Sequence, residues 1–301
     1  MSSATEARPQ TPTELDGSPA APDPAADCPV TVIEQKPGWR PFDLCELWRF
    51  RELLYFLMWR DIKVRYKQTV LGAAWAVIQP LATMAVFALF LGRATGLTGD
   101  LPYSYSLFVL AGLLPWMFFA NAVSSAAGSI VGNQNLVTKV YFPRLMIPMG
   151  AVGAGLVDLF IAFGVLLGLM AFQAVWAGWG ILWVPFLLTL LVVAAVGVGT
   201  LLAALTVAYR DFRFVVPFMV QLWMFATPSI YMQAERVVGE RWQWLLPLNP
   251  TYGLIVNFRQ AVLGGPMDFS ALAVSAAVSV LLLLVGCVYF RRVERGFADI
   301  I

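Results

Sequence analysis

Hydrophobic residues are concentrated in six long runs that short polar segments separate. The runs cover residues 69–92, 103–128, 145–175, 181–208, 214–232 and 269–290. About 20 mostly apolar residues, rising ~1.5 Å each in a helix, cross a hydrocarbon core of ~30 Å. Helices are expected because backbone groups in lipid must be hydrogen-bonded within their own segment. The pattern predicts an all-α integral membrane protein with six transmembrane helices.

Two segments are too polar to span and too apolar to be ordinary loops. Residues 47–68 mix apolar and cationic positions, which predicts an amphipathic helix in the inner membrane interface, anchored by Trp48 and Trp59. The alternative is a basic juxtamembrane stretch held by anionic lipid. Residues 240–265 predict short re-entrant helices on the outer side, with a start at Asn249-Pro250 and a stop at Gly264-Gly265.

The N-terminal segment differs from the rest in composition. Residues 1–40 are rich in Pro, Ala, Ser and acidic residues and lack the apolar core of a signal peptide. Such a composition is typical of a disordered tail. The expected organisation is therefore a disordered cytoplasmic tail over 1–40, followed by a single transmembrane domain over 41–301.

Lysine and arginine residues set the expected orientation. With the N-terminus inside, and apart from the three in the tail over 1–40, thirteen of them fall in internal segments and four in external segments. The internal ones are Arg49, Arg51, Arg60, Lys63, Arg65, Lys67, Lys139, Arg144, Arg210, Arg213, Arg291, Arg292 and Arg295, and the external ones are Arg93, Arg236, Arg241 and Arg259. The positive-inside rule therefore predicts that both termini are cytoplasmic.

The sequence lacks the residues and motifs that several kinds of catalysis and metal binding require. There is no histidine, and the three cysteines show no CxxC spacing, so neither a metal site nor a disulfide framework is expected. The motifs GxxxxGK[ST], HExxH and GxSxG are absent. The sequence also lacks a basic patch with interleaved aromatic residues, so a nucleic-acid partner is not expected. We expect a non-catalytic chain without a cofactor of its own.

Asp158 is the only charged residue within the six predicted spans. An acid at membrane depth is a functional candidate by default. The alternative is a carboxylate that fixes helix packing through a hydrogen bond to Gln79, Asn121 or Gln221. A single acid without a basic partner makes a poor proton relay, and this favours the packing role.

Aromatic side chains form two candidate groups for lining a transport pathway. Their faces suit the apolar faces of sugar rings, and weak repeated contacts allow passage without trapping. The alternative for each is ordinary packing or an interfacial aromatic belt. The candidates, with one amide among them, are Tyr103, Tyr105, Trp116, Phe119, Phe214, Phe218, Gln221 and Phe225.

Four stretches, taken in order, resemble the ABC-2 type permeases that export polysaccharides such as O-antigen, capsule and teichoic acid. They are WRDIKVRYKQTVLGAAWAVIQPL at 59–81, NLVTKVYFPRLMIP at 135–148, AYRDFRFVVPFMVQLWMFATPSIY at 208–231 and LNPTYGLIVNFRQAVLGG at 248–265. The resemblance covers nearly everything after residue 45. It implies a homodimer of six-helix halves in the cell (inner) membrane, each half docked on a separate ABC ATPase subunit that binds ATP and Mg.

The resemblance also implies roles for particular residues. The substrate would be a polysaccharide on a polyprenyl diphosphate. Cations of the interface helix would attract the diphosphate, and the alternative is that they set the topology alone. These cations are Arg60, Lys63, Arg65 and Lys67. The internal loop after span two, the best candidate for meeting a cytoplasmic partner, would contact the ATPase through Leu136, Lys139, Tyr141, Phe142 and Arg144. The external gate would include Trp242, Asn249, Tyr252 and Arg259.

The function expected from these features is ATP-driven export of a lipid-linked polysaccharide by a permease whose motor is a separate protein. The alternatives are an ABC-2 permease for a drug or a lipid, a secondary transporter and a membrane glycosyltransferase. A glycosyltransferase requires acids or a metal near one membrane face. A secondary transporter requires several intramembrane ionisable groups. The predicted spans contain one ionisable acid, Asp158, which supports neither class well.

Overall fold

The computed structural model describes residues 48–67, 72–95, 103–227 and 240–297, apart from the side chains of 91–95, 240–243 and 295. The predicted tail over 1–40 lies outside these ranges. Helices and loops account for all the described residues, which confirms the all-α class. The helices are α1 (Arg51–Lys67), α2 (Ala74–Thr95), α3 (Tyr105–Gly132), α4 (Gln134–Lys139), α5 (Met146–Phe172), α6 (Val184–Ala208), α7 (Phe212–Phe225), α8 (Tyr252–Leu263) and α9 (Phe269–Val293).

Four helical segments are long and apolar enough to cross a membrane. They are Tyr105–Gly132, Met146–Phe172, Trp179–Ala208 and Phe269–Val293, where the third joins a 3₁₀ turn at Trp179–Trp183 to α6. Each lies on a predicted span, with ends within a few residues of the predicted ones. The other two predicted spans contain shorter apolar helices, Ala74–Phe90 within α2 and Phe212–Phe225. The chain is therefore a multi-pass helical membrane protein.

Helix α3 forms the centre of the bundle and contacts α2, α5, α6, α7 and α8. Its buried residues occur on every side of the helix and include Leu107, Leu110 and Phe119, which are 0% exposed. A helix that is apolar all round is suited to this position, because no face has to meet water. The aromatic side chains of α3 are consequently part of the core.

Helices α6 and α9 approach each other closely at two glycines. A Cβ at Gly197 would lie 2.5 Å from the backbone nitrogen of Leu283, and a Cβ at Gly286 would lie 2.4 Å from the carbonyl oxygen of Gly197. Small residues let helix backbones meet in membranes, where van der Waals packing drives association. This contact fixes the last predicted span against the fourth.

Helix α1 packs along the first half of α5 in the same direction. A Cβ added at Gly150 would lie 3.2 Å from Cβ of Leu57. At Gly153, the Met58 side chain occupies the space that a Cβ would need. Eight residues further along both helices, Arg65 of α1 meets Asp158 of α5. The two helices therefore stay in contact over about 12 Å. Tyr55, Phe56 and Trp59 remain exposed on α1.

Helix α8 occupies the interior of the bundle, between α3, α6 and α9. It follows a 3₁₀ segment at Glu240–Leu248, begins after Asn249-Pro250 and ends at Gly264, whose positive φ of 83° suits glycine. These bounds lie at the predicted start and stop, while the re-entrant position on the outer side stays a prediction. Ten of its twelve residues are buried, including Tyr252 and Arg259. The backbone of Ala261 approaches Gly180, and that of Ala271 approaches Gly253.

Candidate functional site

Asp158 is held by the C-terminal end of α1. The guanidinium of Arg65 donates to Oδ2 of Asp158, and the hydroxyl of Tyr66 donates to Oδ1. The expectation that Asp158 lacks a basic partner and bonds to Gln79, Asn121 or Gln221 is therefore wrong. It failed because the partner lies on a helix outside the predicted spans. Burial, followed by the hydrogen bond to Asp158, raises the pKa of Tyr66 to about 12, so its hydroxyl remains a donor at neutral pH.

This ion pair lines a cavity of about 350 Å³ between α1, α2, α3 and α5. Two aromatic rings, of Trp75 and Phe118, form part of its wall. Its polar lining consists of Arg65, Tyr66, Gln79, Asn121, Ser125 and Asp158. An adjoining open cavity of about 360 Å³ shares Arg65 and Ser125 with it and also contains Asp61, Ser129 and Asn133. Polar groups from four helices therefore meet at one place in an otherwise apolar bundle.

Three of the polar groups have no hydrogen-bond partner in the part of the chain that the structure describes. They are the side chains of Gln79, Asn121 and Ser125. Asn121 lies eleven residues, ~16 Å, before the end of α3, and Asp158 lies twelve residues, ~18 Å, after the start of α5. Both therefore lie at a similar depth in the bundle. Polar side chains at such depth are costly unless they meet a partner, a ligand or water.

Of the four cations predicted to attract a diphosphate, Arg65 is the one that lines both cavities. Arg60 pairs with its neighbour Asp61 at 2.8 Å. The ammonium of Lys63 lies 5.3 Å from the ring centre of Trp59. Lys67 is exposed at the end of α1. The four cations thus have different environments, which their spacing alone did not distinguish.

The aromatic candidates separate into an exposed and a buried group. Phe214, Phe218 and Phe225 of α7 are 77%, 61% and 55% exposed, and Gln221 is exposed on the same helix. Tyr105, Trp116 and Phe119 of α3 are instead 7%, 3% and 0% exposed, so within one chain they pack in the core, and their role in lining a pathway stays a prediction. They pack within a helix that is buried on all sides. Tyr103, before α3, is half-buried.

The internal loop after α3 combines exposed and anchored residues. Lys139 and Tyr141 project outward, Tyr141 being 83% exposed, while Phe142 is buried and Leu136 packs at the edge of the same apolar cluster. Arg144 donates to the backbone carbonyl of Glu294, just after α9. Phe297 is fully buried in the cluster that contains Phe142. Sequence reasoning missed this C-terminal contribution, whose signal was an aromatic residue directly after a cationic helix end.

The predicted gate residues lie at different contacts within the bundle. Asn249 accepts a hydrogen bond from Nε1 of Trp223 at 3.0 Å and donates to the hydroxyl of Thr227 at 2.9 Å. Arg259 is buried, with its guanidinium 3.8 Å from the ring centre of Phe108. Tyr252 is buried as well, and the side chain of Trp242 lies outside the described residues. The described gate candidates are thus packed in the bundle.

Long apolar helices around a central span, with the shorter helix α1 beside a polar cavity, define a polytopic α-helical membrane protein. The family described as ABC-2 type transporter matches residues 52–263, more than two thirds of the chain. The chain belongs to this family, so it is a transmembrane transporter subunit and not an enzyme.

Individual relatives give the same picture over nearly their whole length. The chain is 29% identical to the O-antigen export system permease protein RfbA of Myxococcus xanthus, over 84% of this chain and 97% of the relative. An RfbA of Klebsiella pneumoniae is 27% identical over 83% of this chain and 95% of the relative. The polysialic acid transport protein KpsM of Escherichia coli is 25% identical over 80% and 93%.

Proposed function

We propose that this chain is the permease of an ABC exporter that moves a polysaccharide, carried on a polyprenyl diphosphate, across the cell (inner) membrane. The observation that carries the proposal is the similarity to O-antigen export permeases over 84% of the chain and 97% of the relative. The polar cavity supports it, because hydroxyl-rich and phosphate-bearing substrates need hydrogen-bonding groups along an apolar bundle.

The proposed assembly contains two copies of this chain and two copies of a cytoplasmic ABC ATPase. The ATPase binds ATP and Mg and supplies the energy, while the permease binds no cofactor. The exposed aromatic face of α7 supports a second copy, because one chain leaves these large apolar side chains uncovered. A closed two-fold dimer would place the pathway on its axis. The exposed Lys139 and Tyr141 are the proposed ATPase contacts.

The proposed topology has six transmembrane helices with both termini in the cytoplasm. The four long apolar helices and the two shorter ones, α2 and α7, follow the six predicted spans in order. Beyond residue 40, thirteen Lys and Arg residues are internal and four are external, which supports this orientation. Helix α1 and the loop at 134–145 then lie on the inner side, where an ATPase subunit can reach them.

The proposal is tested by deleting the gene for this chain and following the polysaccharide. Lipid-linked polymer should accumulate inside the cell, and the intact chain should restore its surface display. Co-purification in mild detergent should recover the ATPase subunit in a two-plus-two complex. An ATPase that assembles but cannot hydrolyse ATP should leave the polymer inside. Normal surface display in the deletion strain, or a chain that purifies without an ATPase, would contradict the proposal.

A further inference from the structure

The cavity at the end of α1 contains one anion among a set of hydrogen-bond donors. The donors are the guanidinium of Arg65, the hydroxyls of Tyr66 and Ser125, and the amides of Gln79 and Asn121. The anion is Asp158, and the two strongest donors bind its two oxygens. Guanidinium and hydroxyl groups donate equally well to phosphate oxygens. The carboxylate thus occupies the place in which an external oxyanion would find these donors.

The ion pair is of a kind that a ligand can exchange. The side chains of Arg65 and Asp158 are 37% and 27% exposed. Both groups therefore face the open cavity, where an entering ligand can reach them. Gln79 and Asn121 are exposed to the cavity and have no partner among the described residues. A ligand that takes Arg65 from Asp158 would therefore gain further donors in the same cavity.

We infer that Asp158 is an internal competitor that a phosphate-bearing ligand must displace from Arg65 and Tyr66 in order to bind in this cavity. Arg65 and Tyr66 belong to α1 and Asp158 to α5, so the exchange also breaks the charged contact between the two helices. The diphosphate of a lipid carrier fits this chemistry, and its choice over other phosphates rests on the proposed function. Ligand binding and the loss of this charged contact are thereby one event.

Direct binding to the permease–ATPase complex in nanodiscs of uncharged lipid tests the inference. The probe is radiolabelled polyprenyl diphosphate without a glycan. Asp158→Asn keeps the size of the side chain and an acceptor for Tyr66 but removes the competing charge. We expect it to tighten binding about two- to fivefold, the range that an exposed ion pair corresponds to. A pair with a purely structural role predicts unchanged or weaker binding, and this result would overturn the inference.

Three further variants separate competition from general effects. In Arg65→Gln, the tightening by Asp158→Asn should disappear, because the contested cation is gone. Asn121→Ala should weaken binding without loss of assembly, since Asn121 makes no hydrogen bond to other described residues. This variant tests the cavity even where the Asp158→Asn complex is not recovered. Asp211→Asn removes an exposed charge outside both cavities and should leave binding unchanged.

Two additional probes identify the source of the phosphate. Inorganic diphosphate could bind as tightly as the lipid and respond in the same way to Asp158→Asn. This result would support Asp158 as a competitor and would assign the cavity to a free anion. Uncharged polyprenol that binds as tightly as polyprenyl diphosphate would overturn the inference. Failure of the proposed function is distinguishable: Asp158→Asn then still tightens diphosphate binding, while the deletion strain displays its polysaccharide normally.

Discussion

Arg144 donates a hydrogen bond to the backbone carbonyl of Glu294, which lies 150 residues further along the chain. Three residues later, the ring of Phe297 packs edge-on against Phe290, with 5.3 Å between ring centres. The same buried cluster contains Leu57 of α1 and Phe142 of the internal loop. The C-terminal end of α9 therefore braces the loop that we propose as the ATPase contact.

Removing the Phe297 ring should destabilise the permease. Phe297 is 0% exposed, and truncation of a buried Phe to Ala costs about 3–5 kcal/mol. We expect Phe297→Ala to lower the denaturation temperature in detergent clearly. Phe172→Ala is the matched control, because Phe172 is 87% exposed and its loss should change stability little. Equal effects of the two substitutions would show that Phe297 does not brace the loop.

Adjacent aromatic residues of the loop should separate partner binding from stability. Tyr141 is 83% exposed and Phe142 is 7% exposed. Tyr141→Ala should therefore reduce recovery of the ATPase subunit while the permease keeps its thermal stability. Phe142→Ala should lower the free energy of unfolding by about 3 kcal/mol or more, because it leaves a cavity in the cluster. Full recovery of the ATPase with Tyr141→Ala would argue against Tyr141 as a contact.

The helices were predictable because the apolar runs are long and their ends carry local signals. Gly264 ends α8 where the sequence predicted a stop, and the helices over the predicted spans begin and end within a few residues of the expected bounds in four cases. These features depend on neighbouring residues and on the length of a run. The number of spans remains a prediction, because α2 and α7 are shorter apolar helices.

The contacts between helices were not predictable from the same patterns. Asp158 meets Arg65 because α1 runs along α5 with one particular register, and neither helix encodes that register alone. The burial of Trp116 and Phe119 was not predictable either, because a helix that is apolar all round has no periodicity to mark its faces. The burial of α8 was likewise set by glycines on its neighbours, such as Gly180.

The close approach of α6 and α9 should not tolerate a methyl group. A Cβ at Gly197 would meet the backbone of Leu283 at 2.5 Å, and backbone atoms cannot move aside as a flexible side chain does. Gly197→Ala should lower the free energy of unfolding by about 1–3 kcal/mol. Gly164→Ala in α5 has nothing within 4 Å of the new methyl and should leave thermal stability unchanged or slightly raised. A tolerated Gly197→Ala would contradict the observed packing.

The contact between the end of α7 and the segment before α8 should depend on the amide of Asn249. Its oxygen accepts from Trp223, and its nitrogen donates to Thr227. Asn249→Ala leaves the indole N–H of Trp223 without this acceptor, while the Thr227 hydroxyl still donates to the backbone carbonyl of Trp223. The loss should cost about 1–3 kcal/mol. Asn135→Ala is the control, because Asn135 is exposed on α4. Thermal denaturation in detergent measures the effect: Asn249→Ala should lower the denaturation temperature, and Asn135→Ala should leave it unchanged.

Asp268 should make part of the stability depend on pH. Its Oδ1 accepts from the hydroxyl of Ser270 and from the backbone nitrogens of Ser270 and Ala271, which caps the start of α9. These hydrogen bonds, that from the Ser270 hydroxyl first, lower the pKa of Asp268. A lowered pKa in the folded state means that the unfolded chain takes up the proton first as the pH falls.

The stabilisation by the Asp268 carboxylate is therefore complete above its ordinary pKa of about 4 and is lost as the pH falls through the lower folded value. Asp268→Asn provides the comparison, since Asn caps a helix about as well as Asp but does not titrate in this range. We expect thermal denaturation of the two proteins to be similar near neutral pH, and the unsubstituted protein to lose more stability between about pH 5 and pH 3. Asp268→Ala should cost about 1 kcal/mol at neutral pH through the lost cap. Parallel pH profiles for the unsubstituted protein and the Asp268→Asn variant would instead locate the acid sensitivity in other carboxylates.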